Sequence, residues 1–323
     1  MAKYLVSGAA GFIGARTCAM LAEGGHNVYG IDNLNAAYDV RMKEHRLKNL
    51  QKTEGFQFLK IDIAIADQLK ALGGKKFDGV IHLAARAGVR ASVEDPALFY
   101  ATNVLGTLNL LELARSQGVP KFVLASTSSI YGANPPYPTP ESASSSEPLQ
   151  PYAATKKAAE VLAHAYHYLH RLDVSILRYF TVYGPAGRPD LAMFRFCQWI
   201  HEDQPVRVNG TGEQSRGFTY LEDIARGTIL ALKPLGYEII NLGGHEVITI
   251  NRLIEALEGL IHKKAHVQYG PLNPADMLAN WADVSKARRI LGWDPRVGLQ
   301  EGLRHLVEWY AAERSWASTI MTP

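Results

Sequence analysis

From residue 3 to residue 180, short apolar runs alternate with longer amphipathic segments. KYLVSG, HNVYGID, FQFLKIDI, FDGVIHLAA, KFVLAST and DVSILRYF read as strands. They are nearly continuous in apolar character, as strands buried on both faces are. Between them, residues 13–24, 98–117 and 153–171 carry apolar positions at helical spacing. The alternation predicts repeated βαβ units and an α/β fold: a doubly wound parallel sheet with helices on both faces. Beyond residue 180 the rhythm weakens. Helices are predicted near 191–203, 222–233, 249–260 and 299–316, separated by frequent Pro and Gly. The expected organisation is a nucleotide-binding domain over 1–180 and a smaller substrate-binding region over 181–323, some of whose segments can return to the first domain. The stretch Ala133 to Pro140, ANPPYPTP, reads as a stiff loop, either a surface connection or part of an active site.

Composition narrows the class. Of 323 residues, 47% are hydrophobic and 20% charged, which fits a globular protein and leaves no disordered domain. The net charge is +3 and the Lys and Arg residues are dispersed, so nucleic acid is not an expected partner. Cys18 and Cys197 are the only cysteines, far apart, and read as small buried apolar side chains. The sequence opens directly on a strand pattern, and no uninterrupted apolar run approaches membrane-spanning length. The expectation is a cytoplasmic protein with no membrane association and no metal site.

The first strand runs into Gly8-Ala-Ala-Gly11-Phe12-Ile13-Gly14, which opens the first helix. Glycines at these positions let the backbone turn tightly and approach a pyrophosphate, to which the helix N-terminus offers unpaired N–H groups. The second strand ends in Asp32, placing a carboxylate where adenosine ribose hydroxyls would lie and where a 2′-phosphate would be repelled. NAD is therefore favoured over NADP, with Asn33 beside the carboxylate. Asp62, after the third strand, reads either as an adenine contact or as a surface-turn aspartate.

Tyr152 and Lys156 stand four residues apart at the start of a helix that begins at Pro151, so both project from one face. An ordinary tyrosine has a pKa near 10, and a neighbouring ammonium would stabilise its phenolate. The strand KFVLAST runs into Ser126, Thr127, Ser128 and Ser129 at its carboxyl end, where open α/β sheets bind ligands. Thr127 there can share the reacting hydroxyl with Tyr152.

These motifs resemble, over nearly the whole chain, the extended short-chain dehydrogenase/reductase family of nucleotide-sugar epimerases and dehydratases. The residues that carry the likeness are GAAGFIG, Asp32-Asn33, LAARAGVRASVEDP (83–96), TSSIYG (127–132), YAATK (152–156), RYFTVYGPAGRPDLAMF (178–194) and RGFTYLEDI (216–224). The likeness is greatest to its UDP-glucuronate 4-epimerases. It implies a Rossmann fold, NAD as cofactor, a UDP-sugar substrate and a homodimer formed by the helices at 98–117 and 153–171. It makes Tyr152 the base that takes the C4 hydroxyl proton, Lys156 its support and Thr127 a hydrogen-bonding partner. It places Ile63, Leu83, Ala84, Ala85, Tyr152, Lys156 and Tyr179 with the cofactor, and Gly88, Val89, Arg90, Arg216 and Asp276 with the nucleotide-sugar. Read without the family, Arg216 and Asp276 are surface charges, and Arg90 is equally well a structural ion pair.

Within that family the sugar can be argued physically. A glucuronate oxidised at C4 is a β-keto acid, which loses carbon dioxide when the breaking bond aligns with the carbonyl π system. An epimerase must hold the carboxylate in another orientation. Thr127, Ser128, Ser129 and Thr181, helped by Arg188, are the expected grip. Thr181 stands where UDP-glucose 4-epimerases usually carry Asn. Ser128-Ser129 replaces the Asp-Glu pair of the dehydratases, which disfavours dehydration. Arg86 departs from the glutamine usual in uronate epimerases and could add a cation for the acid. The leading reading is thus a UDP-glucuronate 4-epimerase. Its alternatives are a UDP-glucose 4-epimerase, a UDP-glucuronate decarboxylase and, from another class, a non-catalytic NAD-sensing binder, which would not need Thr127, Tyr152 and Lys156 together.

Overall fold

The computed structural model describes residues 1–271 and 279–322. In chain order its strands are β1 (Lys3–Ser7), β2 (Asn27–Asp32), β3 (Phe56–Lys60), β4 (Gly79–His82), β5 (Lys121–Thr127), β6 (Asp173–Tyr179), β7 (Thr181–Tyr183), β8 (Val206–Asn209), β9 (Ser215–Tyr220), β10 (Tyr237–Leu242), β11 (Glu246–Thr249), β12 (Val267–Gly270) and β13 (Ala279–Asn280). Seven of them form one parallel sheet in the order β10-β6-β5-β4-β1-β2-β3. All seven residues of β5 are buried, as a strand covered by helices on both faces requires. The chain winds outward through β2 and β3, then returns to the other side of β1 at β4. That reversal opens a crevice between the carboxyl ends of β1 and β4.

The helices foreseen from apolar spacing lie at Phe12–Glu23, Pro151–His170, Ala192–His201, Leu221–Leu230, Ile250–Ile261 and Leu299–Ala317, with the one near 98–117 running from Pro96 through a π-helical turn at Ala101–Leu105 to Ser116. This last helix, Pro96–Ser116, is long and apolar enough to cross a membrane by length and composition. It packs on the sheet instead: Leu110, Leu111 and Ala114 join Leu5, Phe122 and Val174 in one core. The opposite face of the sheet is covered by the helices Phe12–Glu23 and Leu221–Leu230.

A seventh strand and two helices follow from the later sequence but serve the first sheet. β10 pairs with β6 in parallel register, Tyr237 opposite Val174. Leu221 and Ile224, together with Leu291 and Trp293, pack into the core around Val6 and Ile81. What remains forms a second lobe. There β9 pairs with β7 and β13 in parallel and with β11 in antiparallel, β8 pairs with β12, and Phe194, Trp199, Leu253 and Tyr310 build a separate core. The proline-rich loop is tied down by this lobe: Thr139 bridges to Ala282, and Tyr137 stacks on Trp281 with ring centroids 4.5 Å apart.

Candidate active site

The glycine turn is shaped by contacts that exclude side chains. Gly8 has φ +77°, and a Cβ there would lie 2.7 Å from the Ala84 nitrogen. A Cβ on Gly14 would stand 1.9 Å from the Gly8 carbonyl oxygen. Gly11 then caps the helix Phe12–Glu23 with no side-chain hydrogen bond, so its first N–H groups are left to face an anion in the crevice. Asp32 is buried. One oxygen accepts from the Leu34 N–H at 2.8 Å and the other from the Ala10 N–H at 3.2 Å, and the Lys43 ammonium lies 3.8 Å away. A glycine cradle beside a helix N-terminus, with a carboxylate one strand over, fits a dinucleotide.

One continuous cleft is lined by Gly8, Gly11, Phe12, Ile13 and Gly14, by Asp32, Asn33 and Ile63, and by Leu83, Ala84 and Ala85. The same cleft takes in Thr127, Ser128, Ser129, Tyr152, Lys156, Tyr179, Thr181 and Arg188. Residues separated by up to 180 positions in sequence thus meet in one place. Asp62 stands behind the wall: its carboxylate accepts from Asn33 Nδ2 at 2.8 Å and from the Ala64 N–H at 2.9 Å. Gly88, Val89 and Arg90 start the short helix Val89–Glu94, outside the lining, although the carbonyl of neighbouring Ala87 receives Arg188 Nη2 at 3.2 Å. Arg216 lies on β9, opposite Asn280 of β13, with Nη1 donating to the Ser215 carbonyl. Arg86 is likewise outside the lining, its backbone clamped by Asn103 at 2.8 and 3.0 Å. Asp276 lies outside the described residues.

The reacting groups sit at the carboxyl end of β5 and the first turn of the helix Pro151–His170. Pro151 suits that first turn because the N–H it lacks would be unpaired there. Thr127 caps a 3₁₀ turn, accepting from the Ser129 N–H at 3.2 Å, and hydrogen-bonds the Tyr152 side chain. Burial pushes the Tyr152 phenol up from its ordinary value, against the Thr127 hydrogen bond and the Arg188 guanidinium, which pull it down. Burial lowers the Lys156 ammonium to about 8, opposed by the Glu160 carboxylate. Arg188, which the four-residue spacing of Tyr152 and Lys156 does not announce, is thus a cation that acts on the phenol. Arg188 is held by Asp190, through Nε at 3.0 Å and Nη2 at 2.5 Å.

Sequence reasoning missed several parts. Tyr38 and Lys43 line the cleft, and Lys43 comes from a helix, Arg41–Leu50, whose three buried apolar residues, Met42, Leu47 and Leu50, are outnumbered by charged and polar ones. Arg46, on the same helix, is buried and donates to the Ala186 and Gly187 carbonyls and the Tyr38 hydroxyl, joining the first domain to the loop before Arg188. Asn280 enters the cleft from β13. Beneath the site, Glu160 accepts from Ser126 Oγ at 2.6 Å and from Arg178 Nη2 at 2.8 Å. Among the described residues no group of His, Cys, Asp or Glu is arranged to hold a metal ion.

A doubly wound sheet with a glycine cradle at its reversal point and a Thr/Tyr/Lys set across the crevice defines a dinucleotide-dependent enzyme acting on a hydroxyl. The chain belongs to the NAD-dependent epimerase/dehydratase family, whose model matches residues 4–243. It is 54% identical over 312 residues to the UDP-glucuronate 4-epimerase of Thermodesulfobacterium geofontis, covering 96% of both chains. Its structure is similar to that of the UDP-glucuronic acid 4-epimerase of Bacillus cereus in complex with UDP-glucuronic acid and NAD, with a TM-score of 0.88 at 37% identity over 96% of this chain and 99% of that one. The UDP-glucose 4-epimerase of Thermotoga maritima with UDP-glucose gives a TM-score of 0.90 at 31% identity, covering 97% and 99%. The backbone is thus shared by enzymes of different sugars, and side chains must separate them.

Proposed function

We propose that the chain interconverts UDP-glucuronate and UDP-galacturonate by inverting C4 of the sugar, with NAD as its cofactor. The observation that carries this reading is the gathering of four hydroxyls, Thr127, Ser128, Ser129 and Thr181, in the same cleft as Tyr152, with no carboxylic acid among residues 127–129. Hydroxyls can donate to a carboxylate and turn it out of alignment with a C4 carbonyl; the absence of an acid there leaves no group to expel the C6 oxygen.

NAD, when bound, accepts hydride from C4 and returns it to the opposite face. The glycine turn and the N-terminus of the helix Phe12–Glu23 hold the dinucleotide, and Asp32 meets its ribose. Tyr152 takes the proton from the C4 hydroxyl and gives it back, with Thr127 fixing the phenolic oxygen. Lys156, as ammonium, stabilises the phenolate. Arg188 supplies a second positive charge to the phenol and to the substrate's acid. Gly88, Val89, Arg90, Arg216 and Asp276 are assigned to the nucleotide-sugar by family likeness.

The working form is a homodimer in the cytoplasm. The exposed apolar residues Tyr100, Leu105, Val161, Tyr168 and Leu169 lie on the two helices that would pair, Pro96–Ser116 and Pro151–His170. Both cysteines are buried and unbridged, consistent with a reducing compartment.

The test is incubation of the purified enzyme with UDP-glucuronate and, separately, UDP-glucose, following C4 configuration by proton NMR without added NAD. Conversion of the uronate alone, with no pentose, supports the proposal. Conversion of glucose alone transfers the assignment to a UDP-glucose 4-epimerase, and pentose with carbon dioxide to a decarboxylase. Inactivity toward both after NAD is added removes the UDP-sugar reading.

A further inference from the structure

Asn280 occupies an unusually constrained place at the cleft. Its backbone lies in β13, in parallel register with Arg216 of β9. The next residue, Trp281, accepts at its carbonyl from the Thr139 N–H at 2.9 Å and stacks on Tyr137; the one after, Ala282, donates to the Gly244 carbonyl at 3.0 Å. Held on both sides, the Asn280 side chain reaches into the cleft, where Nδ2 donates to Ser128 Oγ at 3.0 Å. Ser128 is buried, only 4% exposed, and among the described residues its hydroxyl makes no other hydrogen bond.

The direction of that bond matters. A hydroxyl carries one proton and two acceptor sites. With an amide N–H on one acceptor site, the Ser128 proton cannot point at Asn280. Thr127 Oγ1 donates to Ser129 Oγ at 3.2 Å, and among the described residues neither hydroxyl is hydrogen-bonded to Ser128. The direction left open is the cleft, where an acceptor with no proton of its own, a carboxylate, would complete the set.

We propose that Asn280 is a positioning residue for the uronate: it holds Ser128 as a one-way donor toward the sugar carboxylate and so guards the 4-keto intermediate against loss of carbon dioxide. The inference rests on the uronate reading above. In the guarded reaction the C5–C6 bond would break, its electron pair passing to C5 and into the C4 carbonyl to give an enolate. A proton taken up at C5 then leaves a 4-keto pentose and carbon dioxide. Asn280→Asp reverses the donor: a carboxylate would accept the Ser128 proton and set a negative charge beside the substrate's own. Asn280→Ala leaves Ser128 free to rotate, and Asn280→Gln keeps an amide N–H donor.

The experiment uses the NAD-loaded enzyme. UDP-glucuronate and UDP-glucose affinities are measured by calorimetry in a Tyr152→Phe background that blocks turnover, and the pentose share of product is read by NMR with Tyr152 intact. Asn280→Asp should weaken UDP-glucuronate binding by about tenfold or more, the scale of a lost hydrogen bond to a charged group, with UDP-glucose changed less than about twofold. Pentose should rise in Asn280→Asp and Asn280→Ala and fall back in Asn280→Gln. In a Ser128→Ala background, Asn280→Ala should add less than about a twofold change, because its partner is already gone. Equal weakening of both sugars, an unchanged pentose share, or a full Asn280→Ala effect without Ser128 would each overturn the proposal. An enzyme with Asn280 intact that leaves UDP-glucuronate unconverted refutes the uronate reading itself, and the inference falls with it.

Discussion

Lys156 is buried and Tyr152 half-buried, and the loss of solvent acts on them in opposite senses: it holds the phenol protonated and loosens the proton of the ammonium. Removing the Tyr152 hydroxyl takes away the proposed proton acceptor and leaves the glycine turn and Asp32 to hold the dinucleotide. Tyr152→Phe should keep its NAD and lose about 10²- to 10⁴-fold in kcat, the range for a general base; near-normal turnover would strip Tyr152 of that role. Lys156 supports the phenolate only as ammonium, so kcat should decline as the pH rises through about 8. Lys156→Arg keeps its charge through that range and should flatten the alkaline limb at a lower ceiling. An alkaline decline unchanged in the arginine variant would assign it to another group. The unfolded chain holds this proton up to the ordinary 10.5, so between about 8 and 10.5 unfolding takes up a proton. Stability must then rise with pH across that window as far as Lys156 is concerned.

At the scale of elements, β5, β6 and the helix Pro151–His170 are joined below the site by a buried pair. Glu160 and Arg178 are each 2% exposed, 2.8 Å apart, with Ser126 and Tyr131 completing the hydrogen bonds. Glu160→Gln would leave the Arg178 cation unpaired in the interior. The expected loss is about 3–5 kcal/mol, read from the urea midpoint; a loss below about 1 kcal/mol would mean that water reaches the pair. The strands and helices that carry this network were legible because parallel strands buried on both faces are apolar throughout, as β5 is. The helix Arg41–Leu50 was not, since it is charged or polar at most positions and its buried face mixes Met42, Leu47 and Leu50 with Lys43 and Arg46, which are held by specific acceptors. β10 was also missed: six residues of ordinary strand sequence announce nothing about the sheet they will join.

For the whole molecule, one outer surface still presents large apolar groups. Val161 and Tyr168 on the helix Pro151–His170 are 58% and 69% exposed, more than a monomer gains by showing them to water. If the proposed homodimer pairs through this surface, Val161→Glu should leave the protein a monomer in sedimentation or light scattering with the NAD site still formed. A dimer that survives the charge would place the interface elsewhere. The cleft itself is also a property of the whole: Arg46 ties the first domain to the carbonyls of Ala186 and Gly187, and β13 carries Asn280 across to Ser128, so each lobe completes the other's wall.

What the sequence determined by itself is local: the glycines that a tight turn and close approach demand, the carboxylate ending β2, the tyrosine and lysine one helical turn apart, the hydroxyls at the end of β5. Each depends on spacing within a single element or across one turn, and such spacing is written in the chain. Tertiary structure decided what those groups face. It added the Arg188 charge to the surroundings of the phenol, bonded Asp62 to Asn33, left Gly88, Val89 and Arg90 off the cleft wall and brought Asn280 to Ser128 across 152 residues. These relations come from the packing of elements distant in sequence, where burial and charge act through space and no periodicity records them.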